Sequence, residues 1–268
     1  MDLHAHFRPE QSIGKLIAQA SPRIDLLTIT EKPDGIDRAI LSYDCALEKL
    51  TEEGIYYYSL GERAVAVDTP HGLFYLVRGM EVPTTDNQSV VMVGNRERYQ
   101  ADYFSVPAAI TEAKRTGAFP FLDHPLTIGG VPLLFFRYTT ADELQQRREW
   151  FQAYKVAGEG CNAINTLWMW RSNLQARKVM KEEGVTALAN TDIHYNWKDV
   201  GKARTSISKS AIGAPFTDEQ LFSALSQSLS AEQRCNVQIE AGYTTAFTFF
   251  WSMGIPALGE LASSLYQK

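Results

Sequence analysis

Cysteine and histidine are both sparse in this chain: its 268 residues include three of the first and five of the second. Cys45, Cys161 and Cys235 are odd in number and far apart, which excludes a disulfide framework, a zinc finger and a CxxC redox pair. They read as ordinary thiols in a reducing compartment. Positive charge is not in excess either. With 26 Lys and Arg against 31 Asp and Glu, the net charge is −5, so nucleic acid is an unlikely partner. No GxxxxGK[ST] loop, GxGxxG turn or GxSxG elbow occurs, which removes nucleotide cradling by those devices and serine catalysis. No secretory leader stands ahead of the first apolar run, and a cytoplasmic protein is expected. The uncharged stretch 241–259 has the length of a membrane span, but it holds Gly242, Gly254, Pro256 and Gly259. The reading is therefore a packed C-terminal segment over 241–268 and no membrane span. No repeat, low-complexity tract or linker divides the chain, so one domain over 1–268 is expected.

What is present is an alternation. With 45% hydrophobic residues, the chain is able to bury a sizeable core. Short apolar runs at 1–6, 26–30, 73–77, 90–93, 119–122, 162–167, 185–189 and 237–239 read as strands. Helical patterns fall between them at 36–53, 108–115, 141–156, 174–183 and 218–227. Gly54, Gly117 and Gly184 stand just after three of these, where a left-handed cap needs glycine. Strands alternating with helices imply parallel pairing and an α/β layer sandwich or barrel. In such folds ligands bind at the carboxyl ends of the strands.

The histidines obey that rule. His4 and His6 close the first strand, His124 follows Phe119-Pro-Phe-Leu-Asp123, and His194 follows the 185–189 run. Residues i and i+2 of a strand share a face, so His4-Ala5-His6 aims two imidazoles into one space. Asp192-Ile193-His194 does the same with a carboxylate and an imidazole. Three such blocks at three strand ends point to a divalent metal site. Asp2 and Asp123 lie close enough to orient the ligands. His71, in Asp68-Thr-Pro-His71-Gly, reads as a turn residue.

Four blocks together resemble the polymerase and histidinol phosphatase (PHP) family of metallohydrolases. Met1-Asp-Leu-His4-Ala-His6 resembles its opening DLHxH, and Gly79-Met-Glu81-Val its G-x-E-V strand. Leu122-Asp-His124-Pro125 resembles the HP block, and Asn190-Thr-Asp192-Ile-His194 the closing S-D-x-H block. The resemblance implies a distorted (β/α)7 barrel. It also implies two divalent ions (Zn, Fe or Mn), one on His4, His6, Glu81 and Asp192 and a second sharing Glu81 and taking His124. His194 would join the second ion or a residual third position. Asp192 and His194 would handle protons. One block departs from the pattern: where members carry T-D-H, this chain has Thr30-Glu31-Lys32, which puts a third metal in doubt.

Lys32 has two readings. Its ammonium stands in for a cation and takes part in catalysis or anion binding, or it forms an ordinary pair with a neighbour such as Glu31. Arg8, Lys32, Arg171 and Arg204, with Lys198, stand near strand-end blocks and read as contacts for an anionic small-molecule substrate or as surface ion pairs. Asn165, Trp168, Trp170, Tyr195 and Trp197 read as pocket lining or as packing. The leading function is a metal-dependent phosphoesterase. Hydrolysis of C–N or C–O bonds on the same fold, a nuclease, and a non-catalytic metal-binding domain remain alternatives. Nothing in the sequence sets the oligomeric state.

Overall fold

The computed structural model describes residues 1–8, 10–33, 42–100, 103–128, 137–163, 170–194 and 197–243. Its strands are β1 Asp2–Ala5, β2 Leu26–Glu31, β3 Tyr57–Ser59, β4 Ala64–Thr69, β5 Gly72–Pro83, β6 Ser89–Val93, β7 Phe119–Leu122, β8 Thr127–Ile128, β9 Arg137–Tyr138, β10 Ala157–Asn162, β11 Ala187–Asn190, β12 Arg204–Ser206 and β13 Gln238–Glu240. The helices are α1 Ile13–Ala20, α2 Tyr43–Glu52, α3 Val106–Arg115, α4 Ala141–Tyr154, α5 Trp170–Glu183, α6 Lys209–Ile212 and α7 Asp218–Ser228.

Seven strands follow one another in the order β1-β2-β5-β6-β7-β10-β11. All neighbours are parallel except those of β6, which runs against both β5 and β7. No helix separates β5 from β6. A tight turn does, in which Thr84 donates to the Gln88 carbonyl at 2.7 Å, and a turn so short permits only antiparallel pairing. The ring nearly closes between β11 and β1: Asp192 N–H donates to His4 O and His6 N–H to Ile193 O, both at 2.8 Å. The result is the distorted seven-stranded α/β barrel that the motifs implied.

Strand periodicity explains how an apolar floor carries a polar site. Leu26, Val77, Phe121, Ala157 and Leu188 pack in one buried cluster, closed below by Leu221, Phe222 and Leu225 of α7. Steps of two residues from those positions lead to Thr30, Glu81, Asp123, Glu159 and Asn190, all buried. The opposite faces bury Leu27 and Ile29 under α1 and α2, and Met80, Val82 and Leu122 under α3 to α5. Burial of side chains of this size stabilises by roughly 1.5–3 kcal/mol each.

Two expected elements differ. The strand placed at 162–167 lies at Ala157–Asn162, and residues 164–169 are outside the described set. Its sequence, AGEGCN, carries almost no hydrophobic signal because its neighbours leave no room for side chains. A Cβ on Gly158 would stand 2.9 Å from Phe151 and Met180, and one on Gly160 2.9 Å from Arg177. The helix placed at 36–53 is described over Tyr43–Glu52, where the Ser42 side chain accepts from Cys45 N–H and sets the start. Helix α1, not expected, has Ser12 as its cap and buries Ile13, Leu16, Ile17 and Ala20 at helical spacing.

His71 is exposed in the β4–β5 turn, and all three cysteines are free. Asn165, Trp168, Tyr195 and nearly all of 241–268 fall outside the described residues. Among the described residues, no helix is long and apolar enough to cross a membrane.

Candidate metal centre

The carboxyl ends of six strands converge on one buried cluster. His4 lies in β1, with His6 just beyond it. Lys32 follows β2, Glu81 lies near the end of β5, His124 follows β7, Glu159 lies within β10, and Asp192 and His194 follow β11. His4 and His6 are 0% and 1% exposed.

Local contacts fix which nitrogen each imidazole presents. His6 Nδ1 is 2.8 Å from Thr30 O, an atom that only accepts, so Nδ1 carries the proton and Nε2 presents its lone pair. His4 Nδ1 faces Asp123 Oδ1 at 3.1 Å and Glu159 Oε1 at 3.5 Å. Both Nε2 atoms therefore point into one space, 3.1 Å apart. Glu81 Oε2 lies 3.4 Å from His4 Nε2 and 3.1 Å from His6 Nε2. Asp192 Oδ1 is 3.5 Å from each. A tetrahedral ion with bonds of about 2.0–2.1 Å needs ligand atoms about 3.3–3.4 Å apart. His4 Nε2, His6 Nε2 and Glu81 Oε2 come near that requirement, and Asp192 Oδ1 stands close to both nitrogens in a second grouping with His6 and His194. An oxygen lies behind each imidazole, as behind metal-binding histidines.

His194 Nε2 is 3.3 Å from Asp192 Oδ1, and its ring lies 4.4 Å from that of His6. Its side chain is 17% exposed, so it stands at the mouth of the cluster. His124 meets the other oxygen of Asp192, with Nε2 at 3.4 Å from Oδ2. Its ring also meets Asp123 Oδ2 at 2.9 Å from Nε2, and Asn162 Nδ2 at 2.6 Å and Glu159 Oε2 at 3.1 Å from Nδ1. In this arrangement Asp192 joins the His124 side to the His4/His6 side, whereas Lys32 Nζ sits on Glu81 Oε2. His124 and Asp192 both hold positive φ, 27° and 47°, a region that side chains adopt at local cost.

The charges are strongly coupled. Burial penalises every ion here, and its neighbours decide the outcome. Burial pushes His6 down to about 3, helped by the charges of His194 and Lys32. For His4, burial is outweighed by Asp123 and Asp192, which hold it well above the usual histidine range, and Asp123 with Asp192 does the same for His124. Glu81 is held well below the carboxylate range by Lys32, His4 and His6 against its burial. Asp192 is held down by His4, His124 and His194, again against burial. Asp123 goes the other way, raised by burial and by the charges of Glu159 and Glu81.

A second tier ties the loops together. The Asp2 carboxylate accepts from Thr191 N–H at 3.1 Å, from the Thr191 hydroxyl and from Gly201 N–H at 3.4 Å, locking the Asp192 loop to β1. Glu159 accepts from Asn162 Nδ2 at 2.8 Å and Asn190 Nδ2 at 3.0 Å. Glu159 and Asn162 were not singled out in the sequence. The only signal was a glutamate and an asparagine inside a glycine-rich run, which carries no apolar period.

The cationic candidates separate. Arg8 is buried just after His6. Arg171 is exposed on α5, its guanidinium 5.7 Å from the Trp170 ring, in a groove shared with Leu126 and Tyr138. Arg204 pairs with Glu240 in the β12–β13 ladder, and the Thr205 N–H beside it donates to Met1 O at 3.0 Å. That places Arg204 at the amino end of β1, away from the cluster. Lys32 does not pair with Glu31, whose oxygens instead face Tyr43 N–H at 2.9 Å and Arg98 Nε at 3.4 Å.

No protein-family model matches the chain, and no curated protein does. Among solved structures, the chain is similar to PsfC from Pseudomonas syringae PB-5123, with 13% identity, a TM-score of 0.53, and 96% and 97% of the two chains covered. It also matches a two-domain protein containing a predicted PHP-like metal-dependent phosphoesterase from Bacteroides vulgatus ATCC 8482, at 17% identity and a TM-score of 0.49, covering 90% of this chain and 64% of that one. A further match is the lesion-specific endonuclease PfuEndoQ from Pyrococcus furiosus, at 10% identity and a TM-score of 0.44, covering 82% of this chain and 54% of that one. At these identities the likeness is one of fold.

Proposed function

We propose that this chain is a metal-dependent hydrolase that cleaves a phosphate ester of a small anionic substrate. One observation carries the reading: His4 Nε2, His6 Nε2 and Glu81 Oε2 lie 3.1–3.4 Å from one another, Asp192 Oδ1 stands 3.5 Å from both nitrogens, and Thr30 O and Asp123 Oδ1 lie behind the rings. A divalent ion of the Zn, Mn or Fe type supplies Lewis acidity there, activating water and neutralising charge on the phosphoryl oxygens.

The protein's own groups do the rest. Asp192 and His194 sit within 3.3 Å of each other, with His194 at the mouth, and form a path by which a proton leaves the attacking water and reaches the leaving group. Lys32 lowers the negative potential that Glu81, Asp192 and Asp123 would otherwise present to an anion. Arg8 is the cation nearest His6 in sequence and the first residue to test for phosphate contact. A net charge of −5 argues against a nucleic-acid substrate.

The test is a substrate panel on protein purified without chelator: phosphate monoesters and diesters, carboxylic esters, amides, lactones and single-stranded DNA. The expected result is phosphate release that needs Mn²⁺ or Zn²⁺ and falls at least about 10²-fold in His6→Ala and Asp192→Asn. Turnover confined to amides or lactones would move the reading to C–N or C–O hydrolysis. Bound metal without any turnover would make the chain a binding domain.

A further inference from the structure

Glu81 Oε2 is claimed from two sides. His4 Nε2 and His6 Nε2 face it at 3.4 and 3.1 Å, and Lys32 Nζ pairs with the same oxygen. We propose that the Lys32 ammonium is the second cation on Glu81, so that this centre takes one divalent ion in the His4, His6, Glu81 and Asp192 set rather than two bridged by Glu81. The inference rests on the metallohydrolase reading above and concerns how that site is populated.

Three observations support it. The first is backbone register. Strands β2 and β5 pair in parallel from Leu26↔Tyr75 to Glu31↔Met80 without a shift. The next step of that register sets Lys32 beside Glu81. The lysine is therefore delivered to the carboxylate by strand pairing, as a cross-strand neighbour, and not by a free loop. The second is the fate of the alternative partner. Glu31 is occupied by Tyr43 N–H and Arg98, which leaves Lys32 directed inward, its side chain only 15% exposed. The third is the position of His124. A second ion bridged by Glu81 would draw on His124, yet His124 faces Asp192 Oδ2, Asp123 and Glu159. The place beside Glu81 that such an ion would use holds Lys32 instead.

The substitution has a physical consequence. An ammonium neutralises a carboxylate as a point charge and donates hydrogen bonds, but it has no vacant orbital with which to activate water. The centre would then have one Lewis acid and one fixed charge. The fixed charge also repels an incoming divalent ion, so Lys32 limits both the number of ions and the affinity of the first.

Calorimetric titration of chelator-stripped protein with Mn²⁺ and with Zn²⁺, paired with elemental analysis after gel filtration, reads this without any substrate. Wild type and Lys32→Arg are expected to bind one ion per chain. Lys32→Ala and Lys32→Gln are expected to bind the first ion more tightly, by about tenfold, and to accept a second. Two ions in wild type, or one ion at unchanged affinity in both Lys32→Ala and Lys32→Gln, overturns the inference and leaves the hydrolase reading standing. No ion in any variant, with His6→Ala indistinguishable from wild type, overturns the hydrolase reading and this inference with it. Circular dichroism of each variant separates a lost site from a lost fold.

Discussion

Glu159→Gln is the substitution that most directly tests how the scaffold holds the centre. Glu159 accepts from Asn190 on one oxygen and from Asn162 and His124 on the other, while His4 Nδ1 lies 3.5 Å away. A glutamine has one acceptor atom where the carboxylate has two. Whichever way its amide turns, an NH₂ group meets an asparagine donor at 3.0 Å or less. Turned towards Asn190, the clash leaves buried donors unpaired at about 1–3 kcal/mol apiece. Turned towards Asn162, whose Nδ2 also meets Asp192 Oδ2 and His124 Nδ1, it costs less, and in either case two imidazoles lose a charged partner. The expected loss is about 3–5 kcal/mol, the range for removing one member of a buried charged network. The pH dependence gives the sharper check. Burial raises the Glu159 carboxyl, but hydrogen bonds from His124 and His4 outweigh it and hold the group well below its ordinary 4.5. A carboxyl lowered by folding stabilises the native state above its unfolded value and loses that contribution as the pH falls below it. The gap in urea-unfolding free energy between wild type and Glu159→Gln, measured on metal-free protein, should thus be widest near neutrality and narrow below about pH 4.5. A gap that stays constant from neutral to acid pH would refute the reasoning, because the lost interaction would then not depend on a charged Glu159.

Two other outcomes follow from the same geometry. A methyl group on Gly79 would collide with Thr28 Cγ2 across the β2–β5 pair. Gly79→Ala should therefore destabilise by about 1–3 kcal/mol, and adding Thr28→Ser should recover most of it, read as the coupling energy of a double-mutant cycle; strict additivity would count against a contact at that point. Binding of a divalent ion near neutral pH should release about one proton per ion, since His4 holds its proton well above the usual histidine range while His6, at about 3, has none to lose. Calorimetry in buffers of different ionisation enthalpy measures that release, and affinity should fall as the pH is lowered.

The parts of the site legible in the sequence were those where residue chemistry and strand period act together. His4 and His6, or Asp192 and His194, are two apart, and the barrel needs only to deliver them to the same end. The α/β alternation was legible for the same reason, because Leu27, Ile29, Met80 and Val82 advertise the faces they bury. The parts that were not legible are set by close approach. Strand β10 is built of small residues because Phe151, Met180, Arg177 and Ala187 press against it, and no periodicity survives in AGEGCN. Glu159 hides there. The destination of Lys32 depended on strand register, which a single sequence does not reveal. Arg204 looked close to the site because it follows Asp192-Ile-His194 in the chain, but β12 carries it to the opposite end of the barrel.

The centre concentrates negative charge to a degree that the fold alone does not favour. Glu81, Asp123, Glu159 and Asp192 are all buried within one shell of contacts, and Asp123 shows the strain: burial and the charges of Glu159 and Glu81 raise its carboxyl above the usual range. A carboxyl raised by folding subtracts from stability as the pH climbs through its raised value, because the native state resists the ionisation that the unfolded chain accepts. A bound divalent ion relieves that opposition and binds only the native arrangement. At an ion concentration of about one hundred times Kd it should add about 2.7 kcal/mol. For a chain of this size that corresponds to a rise in Tm of about 5–10 °C. Chelator should reverse the rise, and His6→Ala, which removes a ligand but none of the four carboxylates, should abolish most of it. A Tm that does not move with saturating Mn²⁺ or Zn²⁺ would mean that the carboxylate cluster is balanced by the protein's own cations, Lys32 with His4 and His124, and that the site was not shaped around an ion.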